Sequence, residues 1–265
     1  MPIYMHDEID DFFMNNYLLN PSSVVETILN EAKIVIKEQG FCSFKISTII
    51  ERCRCSTKTL YNVFSSKEDI VVALFIQHVN DIIVKINMIS DDESLSHQEK
   101  IIYSMMYDPM KCWAAEEEDF CINFLGVNPY IYNFVSPEFV GNLQVIFLEI
   151  KEHTQNMWKK AVEDACLHSN PEDILKCIAQ LRGIQKGAVA IGQNKFLRQF
   201  GYDNNIEPTF DSMCGLVTAL DWQTPCTALC YSNMIKVLTP LLEVKCMNLE
   251  HYGLPMESLK DKIEL

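Results

Sequence analysis

Ser56-Thr57-Lys58-Thr59-Leu60-Tyr61-Asn62-Val63-Phe64-Ser65-Ser66-Lys67-Glu68-Asp69-Ile70 holds two helix starts in one short stretch. Ser56 is placed to accept an orphan amide of a short helix whose apolar stripe is Leu60, Val63 and Phe64. Ser66 opens a longer helix, with acids in its first turn and Val71, Leu74, Phe75, Ile82 and Ile86 behind them. Upstream, Ile46, Ile49, Ile50 and Cys53 make the stripe of a two-turn helix, and Arg54-Cys55 is the turn that ends it. Earlier still, Ser23 to Glu26 reads as a capping box. It leads Val25, Ile28, Leu29, Ala32, Val35 and Ile36 at helical spacing to a stop at Gly40. Two short helices joined by a tight turn on a preceding amphipathic helix form the helix-turn-helix arrangement. Its second helix enters a major groove only if its outward face is small, polar or basic near the N-terminus. Thr57, Lys58, Thr59, Tyr61 and Asn62 satisfy that condition.

Charge supports the same segment. The chain carries −14 in 265 residues, which argues against nucleic acid if spread evenly. It is not spread evenly. From Glu31 to Lys67 seven basic residues face three acidic ones, a local +4 that leaves −18 for the remainder. A positive island on an acidic protein marks a small phosphate-binding module.

The ordered run resembles the N-terminal module of the TetR family. That pattern is an aromatic after a helix-ending Gly, an Ile-rich helix, then Ser-x-x-Thr-Leu-Tyr-x-x-Phe-x-x-Lys-Glu. Here it reads Gly40-Phe41, Ile46, Ile49, then Ser56 through Glu68, within a match from about Ser23 to Phe75. Arg54 stands where the family usually has Gly in the turn, Ile50 where a small residue is usual, Lys58 where Gly is common, and Phe44 where a hydroxyl caps the first short helix. The resemblance implies that Thr57, Lys58, Thr59 and Asn62 face the groove, and that Tyr61 and Lys67 meet phosphates. It also implies that Lys45, Ser47 and Thr48 brace the first short helix on the DNA backbone, while Leu60 and Phe64 are core. The expected partner is double-stranded operator DNA, palindromic and bound by a homodimer.

The remaining chain reads as all-α. Ser136-Pro137-Glu138 and Asn170-Pro171-Glu172-Asp173 are helix starts, predicting helices through about His168 and about Phe200. Thr224-Pro225 repeats the start signal, and Thr239-Pro240 kinks or restarts the last helix. Three segments are expected: an acidic N-terminal extension over 1–21, a helix-turn-helix domain over 22–75, and a larger helical effector-binding and dimerisation domain over 76–265. In the extension, Asp7, Glu8, Asp10 and Asp11 precede Phe12, Phe13 and Leu18, which suits a disordered or docked arm. Tyr103, Met106, Trp113, Phe120, Phe147, Met157 and Trp158 are the candidates to line an apolar effector pocket, against the simpler reading that most are core. His153, Cys166 and His168 could be polar pocket groups or a metal site, against the simpler reading of a surface role. The small-residue run Gly187 to Gly192 suits close helix approach, between protomers or within one.

Eleven cysteines are scattered without a pair of CxxC motifs, so no metal or cofactor is expected. Cys53 and Cys55 lie two apart. Cys226 and Cys230, four apart, would share a helix face and could hold a metal or form a redox pair, although buried free thiols are the simpler reading. No apolar run is long enough to span a bilayer and no basic leader opens the chain, so a cytoplasmic protein is expected. No Ser/His/Asp, paired-carboxylate, P-loop or HExxH arrangement organises catalysis, so an enzyme is not expected. The resemblance implies a ligand-responsive transcriptional regulator, in its first form a repressor released by a small apolar effector. The rival is an all-helical small-molecule carrier or enzyme with a vestigial helix-turn-helix.

Overall fold

A computed structural model describes residues 23–40, 43–114, 129–192, 199–200, 206–226 and 229–242. The acidic extension, Phe41 and Phe120 lie outside them. The described helices are α1 (Ser23–Gln39), α2 (Ile46–Cys53), α3 (Thr57–Tyr61), α4 (Lys67–Asp91), α5 (His97–Ala114), α6 (Pro137–Glu163), α7 (Pro171–Gly192), α8 (Ile206–Thr218) and α9 (Tyr231–Leu238). Tight 3-10 turns cover Pro129–Phe134 and Thr239–Leu241. Among the described residues the only β feature is an isolated bridge between Leu167 and Trp222. The all-α expectation stands. The chain divides into two compact units, Met1–Asn80 with Leu125–Ile146, and Asp81–Phe124 with Phe147–Leu265.

In the first unit the apolar stripe of α1 is buried as the spacing predicts: Val25, Ile28, Leu29, Ala32, Val35 and Ile36 are all inside. Gly40 ends the helix at φ +79°, and its N–H donates to Ile36 O at 2.8 Å. Ile49, Leu60 and Phe64 are fully buried, and the Phe64 ring stacks on Phe139 with centroids 5.5 Å apart. Asp69 is fully buried and joins two chain segments. Its carboxylate accepts from Ser65 N at 2.9 Å and from Ser136 N at 2.8 Å, while its own N–H donates to Ser66 Oγ at 3.1 Å. This reciprocal cap starts α4.

In the second unit α5 is buried along nearly its whole length, from Gln98 to Ala114. It accommodates Pro109, which removes a helical hydrogen bond and would cost about 3 kcal/mol in an exposed helix. Burial of Tyr103, Met106, Tyr107, Met110 and Trp113 around it outweighs that cost.

Two helix boundaries differ from the sequence expectation. α6 stops at Glu163, not His168, because Ala165 turns left-handed (φ 54°). The N–H of Cys166 then reaches back to Ala161 O at 3.0 Å and that of Ala165 to Val162 O at 3.0 Å, a Schellman closure. The chain beyond it is held by the 220s: His168 N donates to Asp221 O and Gln223 N to Cys166 O. That pairing keeps Thr224-Pro225 from starting a helix, and α9 begins only at Tyr231. Cys226 and Cys230 therefore do not share a helix; Cys230 is the residue before α9. Thr239-Pro240 continues α9 as a 3-10 turn.

Candidate nucleic-acid interface

The reading head is built around one unusual residue. α2 ends at Arg54, which adopts φ 50°, ψ 32°, the left-handed conformation the family's usual Gly takes without steric cost. Two residues later Ser56 caps α3, its Oγ accepting from Thr59 N at 3.0 Å. Cap and turn together fix the start of α3, and Leu60 anchors it inward with no exposed surface. The opposite face holds Thr57, Lys58, Tyr61 and Asn62, all exposed, with Tyr61 at 49%. Thr59 is half-buried, its hydroxyl 2.7 Å from Ser56 Oγ.

On the other side of the turn Lys45 and Ser47 are exposed, and Thr48 accepts from Gln39 Nε2 at 3.3 Å. Gln39 also accepts from Lys45 N at 3.1 Å, holding the backbone at the entry to α2, which has no side-chain cap of its own. Phe44 is buried, and Lys67 Nζ lies 5.8 Å above its ring, a cation–π contact that aligns the lysine at the start of α4. Arg52 pairs with Glu38, so its charge is partly engaged, whereas Arg54 is exposed. Arg54, legible in the sequence as the turn and as one charge of the positive island, is a further cation of the interface. Its charge was plain, but its outward placement depended on a backbone conformation few non-Gly residues adopt.

The proposed effector residues separate. Tyr103, Met106, Trp113, Met157 and Trp158 gather in the core of the second unit, each at most 4% exposed. Phe147 is 41% exposed and is not in that cluster, and Phe120 lies outside the described residues. Tyr103 donates to Glu99 Oε1 at 3.3 Å; burial, then the Glu99 charge, hold its hydroxyl far above the usual phenol range, so it remains a donor. Trp113 Nε1 has no hydrogen-bond partner among the described residues. A separate open cleft of about 670 Å³ is lined by His168, Asn170, Asp173, Lys176 and Asp221, with none of the effector candidates. Among the described residues no cluster of three or more His, Cys, Asp or Glu could hold a metal ion. No described helix is long and apolar enough to cross a membrane.

Residues 28–74 match the family model described as bacterial regulatory proteins, tetR family. No match is found among curated protein sequences. Among solved structures, the fold is similar to the transcriptional regulator FadR from Bacillus subtilis in complex with stearoyl-CoA. The TM-score is 0.56 at 15% identity, covering 74% of this chain and 99% of that one. Salmonella enterica GusR aligns at TM-score 0.45 and 17% identity, over 76% of this chain and 99% of that one. The matched segment falls on the helices and turn that build the reading head, so residues 28–74 form an N-terminal module of the tetR family type, and the described remainder of the chain is helical.

Proposed function

We propose that the protein is a cytoplasmic, ligand-responsive repressor that binds a palindromic operator as a homodimer and is released by a small apolar effector. The observation that carries this reading is the outward face of α3, where Thr57, Lys58, Tyr61 and Asn62 stand exposed behind a capped turn while Leu60 is buried. A vestigial head has no physical need to keep that face polar and basic in a chain of net charge −14. Roles follow from chemistry: Asn62 and Thr57 suit base edges, whereas Lys58, Lys45 and the Tyr61 hydroxyl suit phosphates.

The sensor reading rests on the apolar cluster of Tyr103, Met106, Trp113, Met157 and Trp158. The unpaired Trp113 Nε1 gives an apolar effector one donor to meet with a carbonyl or ester oxygen. The FadR of similar fold carries an acyl-CoA, which is compatible with a long apolar ligand here. Pairing through α7 is favoured by Gly187: a Cβ added there would meet nothing within 4 Å, so its own chain does not require the small residue.

Selection of genomic fragments on the full-length protein, followed by sedimentation of the complex, tests this. A protected inverted repeat bound by two chains is the expected result. A chain that binds apolar ligands tightly but protects no fragment would be a carrier, and the reading would fail.

A further inference from the structure

α5 keeps its helical form through Pro109, a residue with no N–H to offer the carbonyl four positions back and with a ring that crowds that oxygen. The carbonyl belongs to Met105, which is buried, so its replacement donor has to come from protein. α7 supplies it: Gln185 Nε2 donates to Met105 O at 2.9 Å. Leu181, Ile184 and Ala188 turn one side of α7 to the core, and Gln185 falls among them, a polar residue on an apolar stripe. Beside it, Lys186 Nζ lies 3.7 Å from Oδ2 of Asp108, a residue only 3% exposed. Two adjacent residues of α7 thus hold the turn of α5 that ends at Pro109.

We propose that Gln185 on the Met105 carbonyl is a latch between α5 and α7, and that effector entry releases it and thereby weakens DNA binding. The second half rests on the sensor and pairing readings above. In an unbroken helix the carbonyl would be held by its own chain, and α5 would need no side chain from α7. Pro109 makes the completion of α5 depend on another helix, so parting the two leaves a buried carbonyl unpaired as well as exposing apolar surface. The outcome is two discrete states, closed and released, in place of a graded one. Past Pro109, α5 carries Met110 and Trp113 into the core. Trp113 is 1% exposed, and its Nε1 has no hydrogen-bond partner among the described residues. An effector reaches that donor only when the surrounding helices part, and it favours the released state by occupying it. On α7 the residue after Lys186 is Gly187, the position assigned above to pairing, where an added Cβ meets nothing within 4 Å. Release at Gln185 and Lys186 therefore acts within one turn of that surface.

Two substitutions test the latch on the full-length protein. Gln185→Met keeps the length and removes the donor, while Pro109→Ala restores the N–H that makes the donor unnecessary. Hydrogen exchange read by mass spectrometry over 108–114 should be about tenfold faster in Gln185→Met, as expected for one lost buried hydrogen bond. In the Pro109→Ala background the same substitution should leave exchange unchanged. On a fragment selected as above, Gln185→Met should bind about tenfold more weakly, imitating the effector-bound form, and the double variant should recover. Unchanged exchange in Gln185→Met, or a loss that Pro109→Ala does not rescue, overturns the latch. If Gln185→Met does not fold alone, folding of the double variant is the same rescue, and failure of both overturns the latch. Faster exchange with unchanged DNA affinity overturns the regulatory role. A wild-type protein without DNA affinity overturns the reading-head assignment and the regulatory half with it, while exchange still decides the latch.

Discussion

Arg54 and Ala165 are two non-Gly residues held at positive φ, 50° and 54°. Each carries a Cβ into a region that costs about 1–2 kcal/mol for an L-residue. Arg54→Gly and Ala165→Gly remove that strain but also loosen the unfolded chain, which offsets part of the gain. Each should therefore stabilise by about 0.5–1 kcal/mol, read as a higher urea midpoint at unchanged slope. A lower midpoint for both would mean that their side chains contribute more than the backbone strain takes away. The two differ in how legible they were. The Arg54 turn could be placed from its neighbours, because one apolar stripe ends at Cys53 and another begins by Leu60. Ala165 had no such frame, since neither Gly nor Asn marks the left-handed residue there, and the end of α6 was read several residues too late.

At the scale of elements, α3 has too few residues to persist alone and depends on its cap, its buried Leu60 and the start of α4. Asp69 secures that start. Asp69→Ala would leave the buried-side amides of Ser65 and Ser136 without their acceptor and remove a cap, a loss of about 3 kcal/mol. Chemical denaturation should show it, and a change below about 1 kcal/mol would mean that water replaces the carboxylate at no cost. Half of this device was readable: Ser66 followed by acids is a helix start in any context. The bond to Ser136 was not, because it joins residues 67 apart and no local pattern encodes it. Distance along the chain also explains Thr224-Pro225. Its start signal is intact, but Cys166 and His168 pair with the residues before it and hold them extended. Conversely, Pro109 reads as a helix breaker and is overruled by the burial of α5.

Across the whole molecule, buried protons and surface charge each make a measurable claim. In the second unit burial raises Cys177 from 9.0 to about 11, Cys214 from 9.0 to about 12 and Tyr231 from 10.0 to about 12. The folded state thus keeps protons that the unfolded chain releases, so stability falls as pH rises through about 9 and continues to fall towards 12. The melting temperature should drop between pH 8 and pH 10.5, and Cys214→Ala should make that limb shallower; an equally steep limb in the variant would assign the loss to other groups. The sequence showed these thiols as scattered cysteines, and only packing reveals which of them lose solvent. The charge pattern, by contrast, was legible in full, because it needs only the positions of Lys, Arg, Asp and Glu. With Arg52 paired to Glu38 and Lys67 over the Phe44 ring, Lys45, Arg54 and Lys58 remain as exposed cations beside the turn. In a dimer those six neutralise about six phosphates, so log K against log salt should have a slope of about −5. Lys58→Ala removes two of the six and should lower the slope by about 2 while weakening all DNA sequences alike, whereas Asn62→Ala should weaken the operator and leave the slope unchanged. A slope shallower than about −2, or one that Lys58→Ala does not move, would show that the acidic remainder of the chain, not this head, governs the encounter with DNA.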